Sequence, residues 1–129
     1  MKTLLAIISP FMLMAHEPVT KVNSATTQAE IIAKDAKKLC EYYRQRVLKG
    51  ESMASIATLY SEDPGSAPNG GQYKKVVKGM MVPEFENVAF SLKPGEISEV
   101  FATQYGFHFI QLISRKGDVL DLRHLLIMK

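Results

Sequence analysis

Few side chains in this chain can do nucleophilic or acid–base chemistry: one cysteine, Cys40, and the histidines His16, His108 and His124, against a background of scattered carboxylates. A thiol would serve as a nucleophile and an imidazole as a proton carrier. Taken singly, each has an ordinary structural use. Cys40 has no partner for an intramolecular disulfide, says nothing of redox compartment, and is read as packed on a helix rather than reactive. His108 lies in an alternating apolar run and suits a structural histidine. Asp63 precedes Pro64-Gly65 and suits a turn former. The surrounding residues 61–71 are rich in Ser, Asp, Pro, Asn and Gly, and an irregular loop of that length in a compact domain is often functional.

The elements that must position these groups follow from spacing. Thr27 and Glu30 stand in capping-box relation, so a helix is expected to begin there, with Ile32, Ala36, Leu39, Tyr43 and Val47 on one face and a stop at Lys49-Gly50. A second helix is expected from Ser52, burying Met53, Ile56, Ala57 and Tyr60. Residues 72–77 read as a short strand. Pro83 suits the first turn of a third helix carrying Phe85, Ala89 and Leu92, which Pro94-Gly95 ends. Residues 99–103 and 107–114 read as a hairpin turning at Tyr105-Gly106, with His108, Ile110 and Leu112 on one face of the second strand and Phe107, Phe109, Gln111 and Ile113 on the other.

The chain has 129 residues, 47% hydrophobic and 22% charged, which is one globular domain's worth of ordinary composition. A net charge of +3, with lysines and arginines interleaved with acids, reads as solvated helix faces and not as a nucleic-acid footprint.

Residues 1–15 admit two readings. They are a weak signal peptide, with Lys2 before an apolar run that Pro10 interrupts and that is too short to span a bilayer, or they hold the first strand of the domain. The strand reading is favoured because Ile8-Ser9-Pro10-Phe11-Met12-Leu13-Met14-Ala15 matches the apolar pattern of Leu122-Arg123-His124-Leu125-Leu126-Ile127-Met128-Lys129. Residues 16–116 then form the domain. Residues 117–129 are a linker at Lys116-Gly117-Asp118 and a strand outside the domain, opening a following one.

Six motifs in order carry a resemblance. They are Lys49-Gly50-Glu51, Ile56-Ala57-Thr58-Leu59-Tyr60-Ser61-Glu62-Asp63, Gly70-Gly71, Gly79-Met80-Met81-Val82-Pro83-Glu84-Phe85-Glu86, Leu92-Lys93-Pro94-Gly95-Glu96-Ile97-Ser98, and Thr103-Gln104-Tyr105-Gly106-Phe107-His108-Phe109-Ile110. Together, residues 28–114 resemble the parvulin (PpiC-type, rotamase) peptidyl-prolyl cis-trans isomerase domain of bacterial envelope folding chaperones. The resemblance implies an α+β fold, a four-stranded antiparallel sheet surrounded by three to four helices, with a shallow proline pocket on one side.

It also implies roles: Met81 and Phe85 as pocket walls, Thr103 and His108 as a central polar pair, and Asp63 at a position held by Asp or Cys. Tyr73 falls where the family usually has leucine, and Tyr105 beside the pocket. Rotating an amide costs about 18–20 kcal/mol because conjugation is broken. A pocket that favours the twisted amide lowers that barrier by differential binding, without a nucleophile, cofactor or metal. Asp63, Thr103 and His108 are therefore expected to form a hydrogen-bonded network.

The implied partners are proline-containing unfolded or extended polypeptides in the periplasm or cell envelope, with no nucleic acid and no integral membrane span. Two departures matter. The family tends to continue Gly-Gly with a small hydrophobic-Gly unit, whereas Gly70-Gly71 is followed here by Gln72-Tyr73-Lys74-Lys75, which would alter the mouth of the pocket. The family usually carries a histidine in its first strand, where the octet comparison puts Pro10. Two rivals to isomerisation are a binding-only chaperone module and a structural domain. A further expectation arises if residues 1–15 are removed: residues 122–128 would fill the vacant first-strand position and place His124 beside His108.

Overall fold

A computed structural model describes Ile32 and residues 34–129. The chain divides into residues 1–34 and 35–129; of the first unit only Ile32 and Lys34 are described, both helical, and the sheet with its three covering helices belongs to the second. The expected strand or signal in residues 1–15, Pro10 within it, His16, and the capping box of Thr27 and Glu30 lie outside the described residues.

Helix α1, Ala36–Leu48, takes its cap from Asp35, which has extended backbone angles and whose carboxylate accepts from the Lys38 amide at 3.1 Å. Its buried stripe holds Cys40 and Val47, with Ala36, Leu39 and Tyr43 packed beside them. It stops as expected at Lys49-Gly50, where Gly50 adopts φ +115°, a left-handed geometry that only glycine takes without strain. Helix α2, Met53–Tyr60, is capped by Ser52, whose hydroxyl accepts from the Ser55 amide, and it buries Met53, Ile56 and Ala57. Helix α3, Pro83–Ser91, begins on proline, whose missing N–H costs nothing in a first turn, and buries Phe85 and Ala89.

Four strands, β1 (Gln72–Val76), β2 (Phe101–Thr103), β3 (Gly106–Lys116) and β4 (Val119–Met128), form one antiparallel sheet in the order β1-β4-β3-β2. The sheet is buried on both faces. Phe109, Leu125 and Ile127 pack with α1 and α2, and Ile110, Leu112, Leu120 and Leu122 pack with Phe85 and Ala89 of α3. No helix among the described residues is long and apolar enough to cross a membrane.

The placement of β4 departs from the expectation for residues 117–129. Lys116-Gly117-Asp118 is the turn of a hairpin, in which Lys116 pairs with Val119, and β4 lies inside the sheet between β3 and β1. The reason is in its side chains: Leu120, Leu122, Leu125, Leu126 and Ile127 are each at most 5% exposed, so the strand is apolar on both faces. Such a strand needs neighbours on both edges and cover on both faces. The conditional expectation that residues 122–128 would fill a vacant position in the sheet describes where they are found.

Candidate functional site

The start of the loop after α2 is fastened to β4 by hydrogen bonds at Ser61 and Glu62. The Glu62 amide donates to the Leu126 carbonyl at 2.8 Å, the Leu126 amide to Ser61 Oγ at 3.1 Å, and the Met128 amide to Glu62 Oε1 at 2.6 Å. Asp63 is thereby brought to the sheet. It does form the expected turn, with Oδ1 accepting from the Gly65 amide at 3.2 Å and its carbonyl accepting from the Ala67 amide at 2.9 Å. Its other oxygen, Oδ2, does something else: it accepts from Ser66 Oγ at 2.6 Å, Tyr73 OH at 2.7 Å and His124 Nε2 at 2.8 Å.

From His124 the contacts continue across the sheet. His124 Nδ1 lies 3.4 Å from His108 Nδ1, His108 Nε2 lies 2.7 Å from Thr103 Oγ1, and Thr103 Oγ1 accepts from the Tyr105 amide at 3.1 Å. His108, His124, Thr103 and Ser66 are all buried. One continuous network therefore joins Asp63, Thr103 and His108, with His124 as the bridge between them.

The electrostatics follow from these contacts. Hydrogen bonds, first from His124 and then from Ser66 and Tyr73, hold the Asp63 carboxyl well below the usual carboxylate range, against the opposing effect of its burial. Burial pushes the Tyr73 hydroxyl up to about 12, aided by its bond to Asp63, so it remains a donor. Burial, with His124 as neighbour, pushes His108 down to about 4, so at neutral pH its ring is uncharged. Cys40 is buried against Phe109, Leu125 and Ile127 on the opposite side of the sheet, and burial raises its thiol to about 12, which leaves no thiolate to attack anything.

Above the network is a cavity of about 440 Å³. Its walls include Met81, Val82 and Phe85 from α3 and the turn before it, Tyr73 from β1, Tyr105 from the β2–β3 turn, and Leu126 and Met128 from β4, with Asp63, His108 and His124 as polar groups. The Phe85 ring stands edge-on to both imidazoles, at 5.7 Å from His108 and 5.3 Å from His124, and Phe101 stacks on His108 at 5.3 Å. An apolar seat of this kind, floored by aromatic rings and two uncharged or hydrogen-bonded imidazoles, can hold a small alicyclic ring and strip water from an amide beside it.

Of the residues expected from the sequence, Asp63, Tyr73, Met81, Phe85, Tyr105 and His108 all line this cavity, and Thr103 sits beneath it on His108. The second imidazole beside His108 is supplied by His124 of β4. Ser66 carries no signal in the sequence, since nothing about a serine in a long loop says that its hydroxyl is buried against a carboxylate. Leu126 and Met128 are not among the site residues expected from the sequence, whereas the conditional reading of residues 122–128 does place their neighbour His124 beside His108.

Comparison with known proteins agrees with this geometry. The family described as Rotamase, PPIC-type PPIASE domain, matches residues 12–114. That span ends before β4, so the strand bearing His124 lies outside it. A foldase protein PrsA of Geobacillus sp. (strain WCH70) is 42% identical over 88 residues, 68% of this chain and 32% of that protein. A chaperone SurA of Nitrosococcus oceani is 45% identical over 75 residues, 58% of this chain and 18% of that protein. The crystal structure of a peptidylprolyl isomerase (PrsA) from Bacillus cereus is similar with a TM-score of 0.59 and 39% identity, over 62% of this chain and 31% of that one. The chain thus spans about a third or less of the length of these relatives. With the family matched over most of its residues and the sheet, helices and pocket in place, the chain belongs to the PpiC-type peptidyl-prolyl isomerase (rotamase) family.

Proposed function

We propose that this domain catalyses cis-trans isomerisation of X-Pro bonds in unfolded or extended polypeptides by non-covalent stabilisation of the twisted amide. In this reading Met81 and Phe85 grip the prolyl ring, Tyr73 and Tyr105 flank it, and Asp63, His124, His108 and Thr103 set the shape and charge of the floor. The observation that carries it is the unbroken contact chain from Asp63 to Thr103 through two stacked imidazoles directly under an apolar seat. Rotation about the amide moves its nitrogen out of conjugation and its carbonyl out of plane. A dry seat that cannot solvate the planar, charge-separated resonance form raises the ground state relative to the twisted one, while fixed dipoles stay in position throughout.

A second reading rests on the relatives' names, which are those of a foldase and a chaperone: the groove holds extended segments without speeding isomerisation. Both readings place the domain in the cell envelope with unfolded clients.

Exchange spectroscopy on a short X-Pro peptide separates them. Acceleration of cis-trans exchange by the protein, lost in His108→Ala and Met81→Ala, is expected for an isomerase. Line broadening without acceleration would support the binding module, and neither effect would defeat both.

A further inference from the structure

Sulfur is unevenly placed in this protein. Among the described residues it resides in Cys40 and in Met53, Met80, Met81 and Met128. Cys40 and Met53 are 0% and 4% exposed in the core that packs α1 and α2 on the sheet, and burial raises the Cys40 thiol to about 12, so neither offers its sulfur to a reagent in water. The other three line the cavity. Met80 and Met128 are about half exposed, at 56% and 49%, while Met81 is partly buried against the cluster that holds Phe85. The sulfur that solvent reaches is therefore gathered at the mouth of one pocket.

Met80 also holds the shape of that pocket. Its amide donates to the Val77 carbonyl at 3.3 Å and its sulfur accepts from the Val77 amide at 3.4 Å, so backbone and side chain close the same turn. Gly79 within the turn, at φ +92°, donates its amide to Glu86 Oε2 at 2.6 Å, which ties the turn to α3. Met81 and the helix carrying Phe85 follow directly. A thioether sulfur is a weak acceptor, whereas a sulfoxide is polar and its oxygen accepts strongly. The gap between the Met80 sulfur and the Val77 nitrogen has no room for an added oxygen, so the oxidised side chain must swing away and the turn that sets Met81 must adjust with it. At Met128 the added oxygen sets a polar group in a wall shared with Leu126 and Tyr105, where an unbonded polar atom disfavours an apolar ligand.

We infer that Met80 and Met128 are oxidation sites through which a peroxide reversibly closes the proline pocket. This rests on the proposed function, which places the prolyl ring in this cavity. In the forward step a sulfur lone pair attacks one oxygen of hydrogen peroxide. An S–O bond forms, the O–O bond breaks, and the proton of the transferred hydroxyl passes to the departing oxygen, which leaves as water. Sulfur is oxidised by two electrons and the peroxide is reduced. In the reverse step a dithiol, acting through methionine sulfoxide reductases, removes the oxygen as water and becomes a disulfide. Methionine is unbranched and polarisable, which suits a seat that must fit around a ring. The same choice makes the seat the first part of the domain that an oxidant meets.

Hydrogen peroxide treatment of the full chain, followed by peptide mass mapping, tests the sites themselves. Met80 and Met128 are expected to gain an oxygen before Met53 does, and oxidation of Met53 at the same rate overturns the inference. Exchange spectroscopy on an X-Pro peptide reads the consequence. The expected result is a rate enhancement at least about tenfold lower after oxidation, recovered on treatment with dithiothreitol and the two epimer-specific reductases. Met80→Leu/Met128→Leu, once circular dichroism shows it folded, is expected to keep most of its own untreated enhancement under the same peroxide. An enhancement untouched by oxidation at Met80 and Met128, a loss that the reductases do not reverse, or a double variant as sensitive as the wild type overturns the inference. If the untreated protein accelerates no peptide, the isomerase reading fails by itself. Line broadening then reports binding, whose loss on oxidation supports the inference and whose persistence overturns it.

Discussion

The imidazoles of His108 and His124 meet through their Nδ1 atoms, 3.4 Å apart, so one of the two must donate and the other accept. The Asp63 carboxylate only accepts, so His124 carries a proton on Nε2. His108 is uncharged at neutral pH and carries one proton. With that proton on Nδ1, His108 donates to a bare His124 Nδ1 and its Nε2 accepts from the Thr103 hydroxyl; with it on Nε2, His108 donates to Thr103 Oγ1 and its Nδ1 accepts from His124 Nδ1–H. Nitrogen-15 spectra of the imidazoles at neutral pH are expected to show His124 protonated on Nε2 and a single His108 tautomer, whose identity gives the direction of the bond between the rings. Asp63→Ala should release that order and give mixed forms. Mixed forms at His108 in the wild-type protein would contradict a fixed network.

The same network makes stability depend on pH. An imidazole in the unfolded chain titrates near about 6.5, whereas His108 in the fold is held down to about 4. Between these values the unfolded chain binds the proton and the fold does not, so stability falls as pH drops through this window and is full above it. The loss is on the order of 2 kcal/mol for His108 alone, allowing for solvent near the cavity. Urea midpoints at pH 7.5, 5.5 and 4.5 measure it, and His108→Gln should flatten the profile. A stability that rises on acidification through this range would show that His108 is not buried as an uncharged ring.

The Tyr73 hydroxyl gives Asp63 a donor that an apolar side chain at this position cannot supply. Removing it in Tyr73→Phe leaves the ring packed and Asp63 with Ser66 and His124. The expected cost is about 1.5–3 kcal/mol, the worth of a hydrogen bond to a charged group, with the Asp63 carboxyl moving up toward its ordinary value. Denaturant titration and carboxyl carbon shifts check the two effects. An unchanged Asp63 shift would mean that the bond to Tyr73 is not holding the carboxylate.

Gly71 holds the far end of the loop against the interior strand. It adopts φ +75°, its carbonyl accepts from the His124 amide at 2.9 Å, and a Cβ there would lie 2.2 Å from the His124 carbonyl oxygen and 2.9 Å from Ala57 Cβ. Both obstacles are hard, one being backbone and the other the packed face of α2. Gly71→Ala is expected to cost about 3 kcal/mol or more through strain and overpacking, and to displace His124 from Asp63. Gly79→Ala, where a Cβ would meet nothing within 4 Å, is the control and should cost less, its φ of +92° being its only penalty. Equal effects at the two positions would show that close approach to β4 is not what Gly71 provides.

Much of the molecule is readable in its residues. The stripes of α1, α2 and α3, the stop at Gly50, the start at Pro83 and the alternation around His108 are local patterns, and the structure follows them. Strand β4 shows what local pattern omits: five apolar residues mark a buried strand but do not say between which neighbours it lies. Gly117 between a lysine and an aspartate reads equally as linker or hairpin, and only pairing over ten residues of β3 separates the two. Asp35 is hidden as a cap because Thr27 and Glu30 offer a better motif upstream. Ser66 is invisible for the opposite reason, since its burial depends on how a whole loop folds back on Asp63. The site is legible as a set of positions, while its wiring through His124 depends on the non-local pairing.

Because β4 joins its hairpin partner within a few residues but reaches β1 and Asp63 only across about fifty to sixty residues of chain, the two halves of the pocket have different histories. The hairpin can close early, and the loop of Asp63 and the strand of Tyr73 must be recruited later, after a larger loss of chain entropy. In refolding, peptide binding is then expected to appear with the slowest phase, after the β3–β4 pairing that amide-exchange labelling reports. On the proposed function, a proline-containing client offered to a half-folded domain would find no seat, and the domain would handle other unfinished chains only once it is itself finished.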